Sequence, residues 1–219
     1  MATRHEDRYK FGPLPLDGVA PGTNLLLAGP TLGGTRELLL RLLLGDDGVV
    51  IITADSNARK TLSAFEQVGG SVDTERVRVV SCTRESDDDD LGPFVSAVGS
   101  PGDLTGIGIE YSSQYEQVYA RGYDSVRTGI YTLTPLLVYS EDVRPVFRFI
   151  NTVTSRIRTA DGLGICAIDP SAHEEQVVNS IAQPFDGRID VREHDGAVEL
   201  RVQGLPDQPS EWTPLPALE

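Results

Sequence analysis

Lysine is almost missing: of nineteen basic residues only Lys10 and Lys60 are lysines, and the rest are arginines. Cysteine is equally scarce. Cys82 and Cys166 stand far apart in apolar stretches, which excludes a zinc set or a disulfide framework and predicts buried free thiols. The three histidines, His5, His173 and His194, are scattered and form no metal-ligand spacing. No apolar run approaches the roughly 20 residues that a membrane-spanning helix needs. Met1–Lys10 is charged and lacks the apolar segment of a signal peptide. These absences predict a soluble, cytoplasmic protein that neither enters a membrane nor depends on a bound metal.

Negative charge is abundant. Thirty-three acidic residues against nineteen basic ones give a net charge of −14. The acidic residues are spread along the whole chain, which favours adaptation to a high-salt cytoplasm over one acidic docking surface. The balance also disfavours nucleic acid as a partner, because phosphate backbones need clustered lysine and arginine. The run Asp87–Asp90 has the form of a solvated loop, since four adjacent like charges repel one another.

Along the chain, apolar strand-like segments alternate with amphipathic helical ones. Asn24–Gly29, Val49–Thr53, Arg76–Ser81 and Leu163–Ile168 read as buried strands. Val126–Tyr139 reads as a strand followed by a turn at Pro135. Helices are predicted over Thr35–Leu44, capped by Gly45, and over Ser56–Val68, Leu104–Tyr119 and Val143–Ile157. A further helix is predicted over Ser171–Ala182, where Ser171 and Glu174 have capping-box spacing. Arg188–Glu193 and Ala197–Val202 flank His194-Asp195-Gly196, a hairpin signal. The order predicts an α/β fold with a mostly parallel sheet between helices and an antiparallel hairpin at its end. Residues 1–10 read as a flexible arm, 11–204 as one domain, and 205–219 as an irregular proline-rich tail.

One segment points to chemistry. Gly29, Pro30, Thr31, Leu32, Gly33 and Gly34 follow a strand and open a helix. That is the layout of a phosphate-binding loop, whose backbone N–H groups and helix N-terminus face phosphate oxygens. The full motif continues with Lys and then Ser/Thr; this chain has Thr35 and Arg36. The lysine that neutralises phosphate charge and the hydroxyl that holds Mg²⁺ are both replaced. Arg36 either substitutes for the metal, permitting binding of ATP or another nucleotide without Mg²⁺, or faces away. Asp55, just beyond the second strand, and Asp169, at the end of Ile165–Ile168, are the weak candidates for catalytic acids. Each has a structural alternative: Asp55 starts the following helix, and Asp169 caps the turn at Pro170–Ala172.

These residues carry a resemblance. The loop Gly29–Thr35, the preceding Leu16–Gly22, and the segments Ser100–Ile109, Phe147–Arg158, Asp169–Gln176 and Phe185–Gly187 resemble the RecA/KaiC-like P-loop ATPases. The likeness is strongest to small single-domain KaiC-like, RadA-like proteins of haloarchaea, and it spans about residues 10–205. It implies a three-layer RecA-like fold and, by analogy, side-by-side homo-oligomers or a protein partner. It also implies a magnesium-binding aspartate at the end of the strand starting at Val126, where Tyr131 stands, and paired glutamates where Thr53-Ala54 stand. Asp169 then falls on the next strand. With four features replaced, the resemblance implies the fold but argues against an efficient ATPase, leaving a regulatory or scaffold role. The alternatives are a divergent ATPase and an accessory factor in DNA recombination or repair.

Overall fold

The computed structural model describes residues 9–31, 33–83 and 91–216. Nine strands form one sheet in the order β4-β3-β2-β5-β6-β1-β7-β8-β9. They are β1 (Asn24–Ala28), β2 (Gly48–Thr53), β3 (Val77–Ser81), β4 (Val95–Ala97), β5 (Val126–Ile130), β6 (Leu163–Ile168), β7 (Gly187–His194), β8 (Ala197–Gln203) and β9 (Thr213–Pro214). From β4 through β7 every pairing is parallel; β8 and β9 are antiparallel. The α/β fold with a mostly parallel sheet and a closing antiparallel hairpin is therefore the observed one.

Two apolar layers hold the sheet. On one face pack α1 (Thr35–Leu42) and α2 (Ala58–Gln67), through Leu38, Leu39, Leu62 and Phe65. On the other pack α3 (Leu104–Ala120), α4 (Thr134–Val138), α5 (Val143–Thr159) and α6 (Glu175–Ala182), through Ile107, Leu136, Ile150 and Val178. Each central strand is buried on both sides, which is why these strands read as continuous apolar runs rather than alternating ones.

Several local expectations are corrected. The second helix starts at Ala58, and its cap is Asn57, whose side chain accepts the Lys60 N–H at 2.8 Å; Asp55 does not start it. The last helix begins at Glu175, not after Ser171. Asp169 instead caps a short 3-10 turn over Pro170–Ala172. Pro135 lies in the first turn of α4, where its missing N–H costs nothing. Within the proline-rich segment β9 pairs with β8, and the buried Arg41 donates to the Pro216 carbonyl at 2.8 Å. The N-terminal arm is docked at its end, where Tyr9 bridges Val19. The hairpin is as predicted: Asp195 and Gly196 both have positive φ, 51° and 76°, the conformation of a two-residue type I′ turn. The run Asp87–Asp90 lies outside the described residues.

Candidate functional site: the glycine loop and its neighbours

The parallel strands all point their carboxyl ends to one edge, where ligands of such sheets bind. β1 delivers the glycine loop there. β2 delivers Asp55, β5 delivers Tyr131, and β6, the strand between β1 and β5, delivers Asp169. Of the candidate loop residues, Leu32 lies outside the described ones; the other seven form a tight turn.

The turn closes on itself. The Pro30 carbonyl accepts the Gly33 N–H at 3.1 Å and the Thr35 hydroxyl at 3.0 Å. Thr35 thus turns its hydroxyl inward, and it is buried. A methyl group built on Gly29 would stand 2.6 Å from the Thr35 hydroxyl and 2.7 Å from the Val191 carbonyl, so only glycine fits between the turn and β7. Gly34 has φ 82°, the left-handed conformation that glycine adopts without steric cost. The β7–β8 hairpin covers this corner, with Val198 against Gly34.

Thr31 is also engaged. Its N–H and its hydroxyl both donate to one Asp169 carboxylate oxygen at 3.0 Å, while the Ser171 N–H and hydroxyl donate to the other at 3.0 and 2.6 Å. Burial by itself would raise the Asp169 pKa, but these four hydrogen bonds outweigh it and hold the carboxyl below its ordinary value. A fixed negative charge therefore sits on the loop. His173, near Asp169, is half-buried. Burial pushes its pKa down, the Asp169 charge opposing, and its buried Nε2 has no hydrogen-bond partner.

Arg36 faces the site rather than solvent. Its guanidinium is ion-paired with Asp55 and lies 5.2 Å from the centre of the Tyr131 ring, within cation–π range. Burial raises the Tyr131 pKa, Arg36 partly offsetting it, so this phenol is neutral near pH 7. Thr53, at the end of β2, donates to the Ser56 carbonyl at 2.9 Å and shapes the turn that carries Asp55. The structure thus brings together three of the residues singled out in the sequence, Arg36, Asp55 and Tyr131. Asp169 is bonded to Thr31 of the loop instead and takes no part in that cluster.

A magnesium–nucleotide does not fit this donor set. Arg36 stands where the motif places the metal's hydroxyl, Asp55 is paired with it, and Tyr131 brings no charge. What the loop keeps is its backbone, with the first turn of α1 leaving N–H groups unused inside the helix. Behind it, between α1 and the hairpin, a cavity of about 370 Å³ is lined by Gly34, Glu37, Arg41 and Val198. Its cation is committed, since Arg41 is 3.6 Å from Glu37 and donates to Pro216. Sequence reasoning missed the Thr31–Asp169 contact, the Thr35–Pro30 closure and the hairpin's cover.

The mostly parallel sheet, with a glycine turn between β1 and α1 at its carboxyl edge, has the fold of a KaiC-like RecA protein. The same fold is seen in the crystal structure of a KaiC-like protein from the hyperthermophilic archaeon Pyrococcus horikoshii, with a TM-score of 0.66 at 15% identity. The match covers 94% of this chain and 92% of that one. Residues 22–191 match the family of unknown function DUF7504, and the chain belongs to that family. None of the curated proteins matches it. Among the described residues no helix is long and apolar enough to cross a membrane.

Proposed function

We propose that this protein is a non-hydrolysing member of the KaiC-like RecA fold, with degenerate Walker motifs. It acts as a regulatory or scaffold component through contacts with a protein partner or with further copies of itself. Any nucleotide or phosphate is bound by the loop backbone alone, without magnesium. The observation that carries this reading is the fate of Arg36. The residue at the metal-hydroxyl position is a cation locked to Asp55 and Tyr131. Phosphoryl transfer relies on charge neutralisation by lysine and magnesium and on an oriented water, and the residues for those tasks are replaced or already paired. The acid-rich surface suits a salt-rich archaeal cytoplasm. A divergent ATPase would need Asp55 released from Arg36 to orient water.

Phosphate release in molar KCl, comparing wild type with Arg36→Ala, tests the reading. No turnover is expected from either protein. Sustained turnover that Arg36→Ala abolishes would overturn it. Calorimetric titration with ATP, with and without Mg²⁺, separates backbone-only binding from none: any heat is expected to be the same in both.

A further inference from the structure

Two carboxylates from separate strand ends occupy donors of the glycine loop. Asp169 follows β6 directly, and Asp55 lies just past β2. One Asp169 oxygen accepts the Thr31 N–H and the Thr31 hydroxyl, each at 3.0 Å. An Asp55 oxygen takes the guanidinium of Arg36, the only cation between Gly29 and Arg36. Two further donors, the Gly33 N–H and the Thr35 hydroxyl, close on the Pro30 carbonyl. A phosphate held by a loop of this kind draws on the same groups, backbone N–H donors and a guanidinium, through charge-assisted hydrogen bonds. A carboxylate offers those donors negative oxygens of its own.

Local structure does not require either contact. Asp169 caps its 3-10 turn with one oxygen, which accepts the Ser171 N–H at 3.0 Å and the Ser171 hydroxyl at 2.6 Å. The other oxygen is surplus to that cap, and it reaches 138 residues back along the chain to Thr31. Asp55 is not the cap of α2, since Asn57 is. It turns to Arg36 instead, whose guanidinium rests 5.2 Å from the centre of the Tyr131 ring. The turn that carries Asp169 also aims it, and Tyr131 steadies the Arg36 end of the second pair. Both acceptors belong to the chain, so they compete for the donors at the high effective concentration of an intramolecular contact.

We infer that the glycine loop is held closed by its own anions: Asp55 and Asp169 occupy the donors that a polyphosphate ligand would take, and so exclude it. This rests on the reading above, in which any phosphate meets the loop without magnesium, and it adds what controls entry. The two acids then work in ligand exclusion rather than in catalysis or metal binding. A polyphosphate must displace both carboxylates, and each displaced carboxylate must give up a charge-assisted bond. Removing either one should therefore open the loop in part.

The probe is magnesium-free pyrophosphate, titrated by calorimetry in the molar KCl of the preceding assay. The proteins are wild type, Asp55→Asn, Asp169→Ala and Asp46→Asn. Asp46 is exposed just before β2, at the opposite, amino edge of the sheet, and controls for the loss of one negative charge. Asp55→Asn and Asp169→Ala are each expected to bind at least about tenfold more tightly than wild type, the scale of one hydrogen bond to a charged group. Asp46→Asn should match wild type. Adding Arg36→Ala to Asp55→Asn should cancel the gain, because the freed guanidinium is what binds. Circular dichroism checks that each variant folds; if Asp169→Ala does not, the Asp55→Asn pair of titrations decides. Wild type that binds as tightly as both variants would overturn the inference. So would an equal gain in Asp46→Asn, which would assign the effect to net charge, or a gain that survives Arg36→Ala. Variants that gain nothing, beside a wild type without ATP turnover, remove the self-closure and leave the non-hydrolysing reading standing. Turnover by wild type beside variants that gain tenfold removes that reading alone.

Discussion

Asp169 concentrates the loop's chemistry in one carboxylate. Its two oxygens take four donors, two from Thr31 and two from Ser171. Its pKa in the folded protein is lowered, because those bonds outweigh the burial that would raise it. A carboxyl with a depressed folded pKa contributes stability that is complete above its unfolded value, near 3.9. That contribution is lost as pH falls through the lowered folded value. A carbon-detected NMR titration of the Asp169 carboxyl should therefore give a midpoint below the ordinary aspartate range, and the Thr31 amide should shift with the same midpoint. Thr31→Val removes one of the four donors and should move the midpoint up; a midpoint already at the ordinary value in wild type would contradict this role. The thiols need no such argument. Burial pushes Cys82 up to about 12 and raises Cys166 as well, so neither is a thiolate near neutral pH.

Arg127, on β5, ties several elements together. Its guanidinium bonds Asp47 at 2.6 Å, donates to the carbonyl of Leu42, the last residue of α1, at 2.9 Å and to the Lys10 carbonyl at 3.2 Å, and lies 5.3 Å from the centre of the Tyr9 ring. Arg127→Met strands Asp47 and frees two carbonyls. Breaking a buried pair costs about 3–5 kcal/mol, and because Asp47 is 20% exposed about 3 kcal/mol is expected from urea unfolding. Arg127→Met combined with Asp47→Leu should recover part of that loss; a double variant worse than the sum of both singles would show that the pair is not what holds this corner. Nothing in the sequence signals this tie, since Arg127 and Asp47 are 80 residues apart. Elements with a strong local period were legible: the apolar runs of β1, β2 and β6 and the amphipathic stripe of α5. The three-residue β4 and two-residue β9 were not, because only pairing with β3 and β8 makes them strands. The spacing of Ser171 and Glu174 misled because the Asp169 carboxylate and Pro170 take the chain into a 3-10 turn first. At the candidate site the glycine spacing was readable, while the Arg36–Asp55–Tyr131 cluster depends on the ends of three separate strands meeting.

At the scale of the molecule, charge governs the response to solvent. With 33 acidic and 19 basic residues, at least fourteen carboxylates lack a basic counterpart wherever they sit. Folding confines them to one surface, so their mutual repulsion opposes the compact state. Ion pairs act the other way, and several are partly exposed, among them Arg156–Glu116 and Arg158–Asp186. Exposed pairs are each worth about 0–1 kcal/mol, and added salt weakens them too. The two effects differ in range. Pairs in contact are no farther apart than about the 3 Å Debye length of 1 M salt and keep part of their attraction there, whereas repulsion between scattered carboxylates acts over the roughly 10 Å screening length of 0.1 M and is largely gone at 1 M. Salt should therefore remove more repulsion than attraction, and the thermal midpoint should rise as KCl goes from 0.1 to 2 M. Each kcal/mol relieved is worth about 2–4 °C for a domain of this size, so the shift is readable by circular dichroism. Most of the rise should come below 1 M, where screening changes fastest. A midpoint that falls across that range would mean that the ion pairs, not the unpaired carboxylates, dominate the electrostatics of the fold.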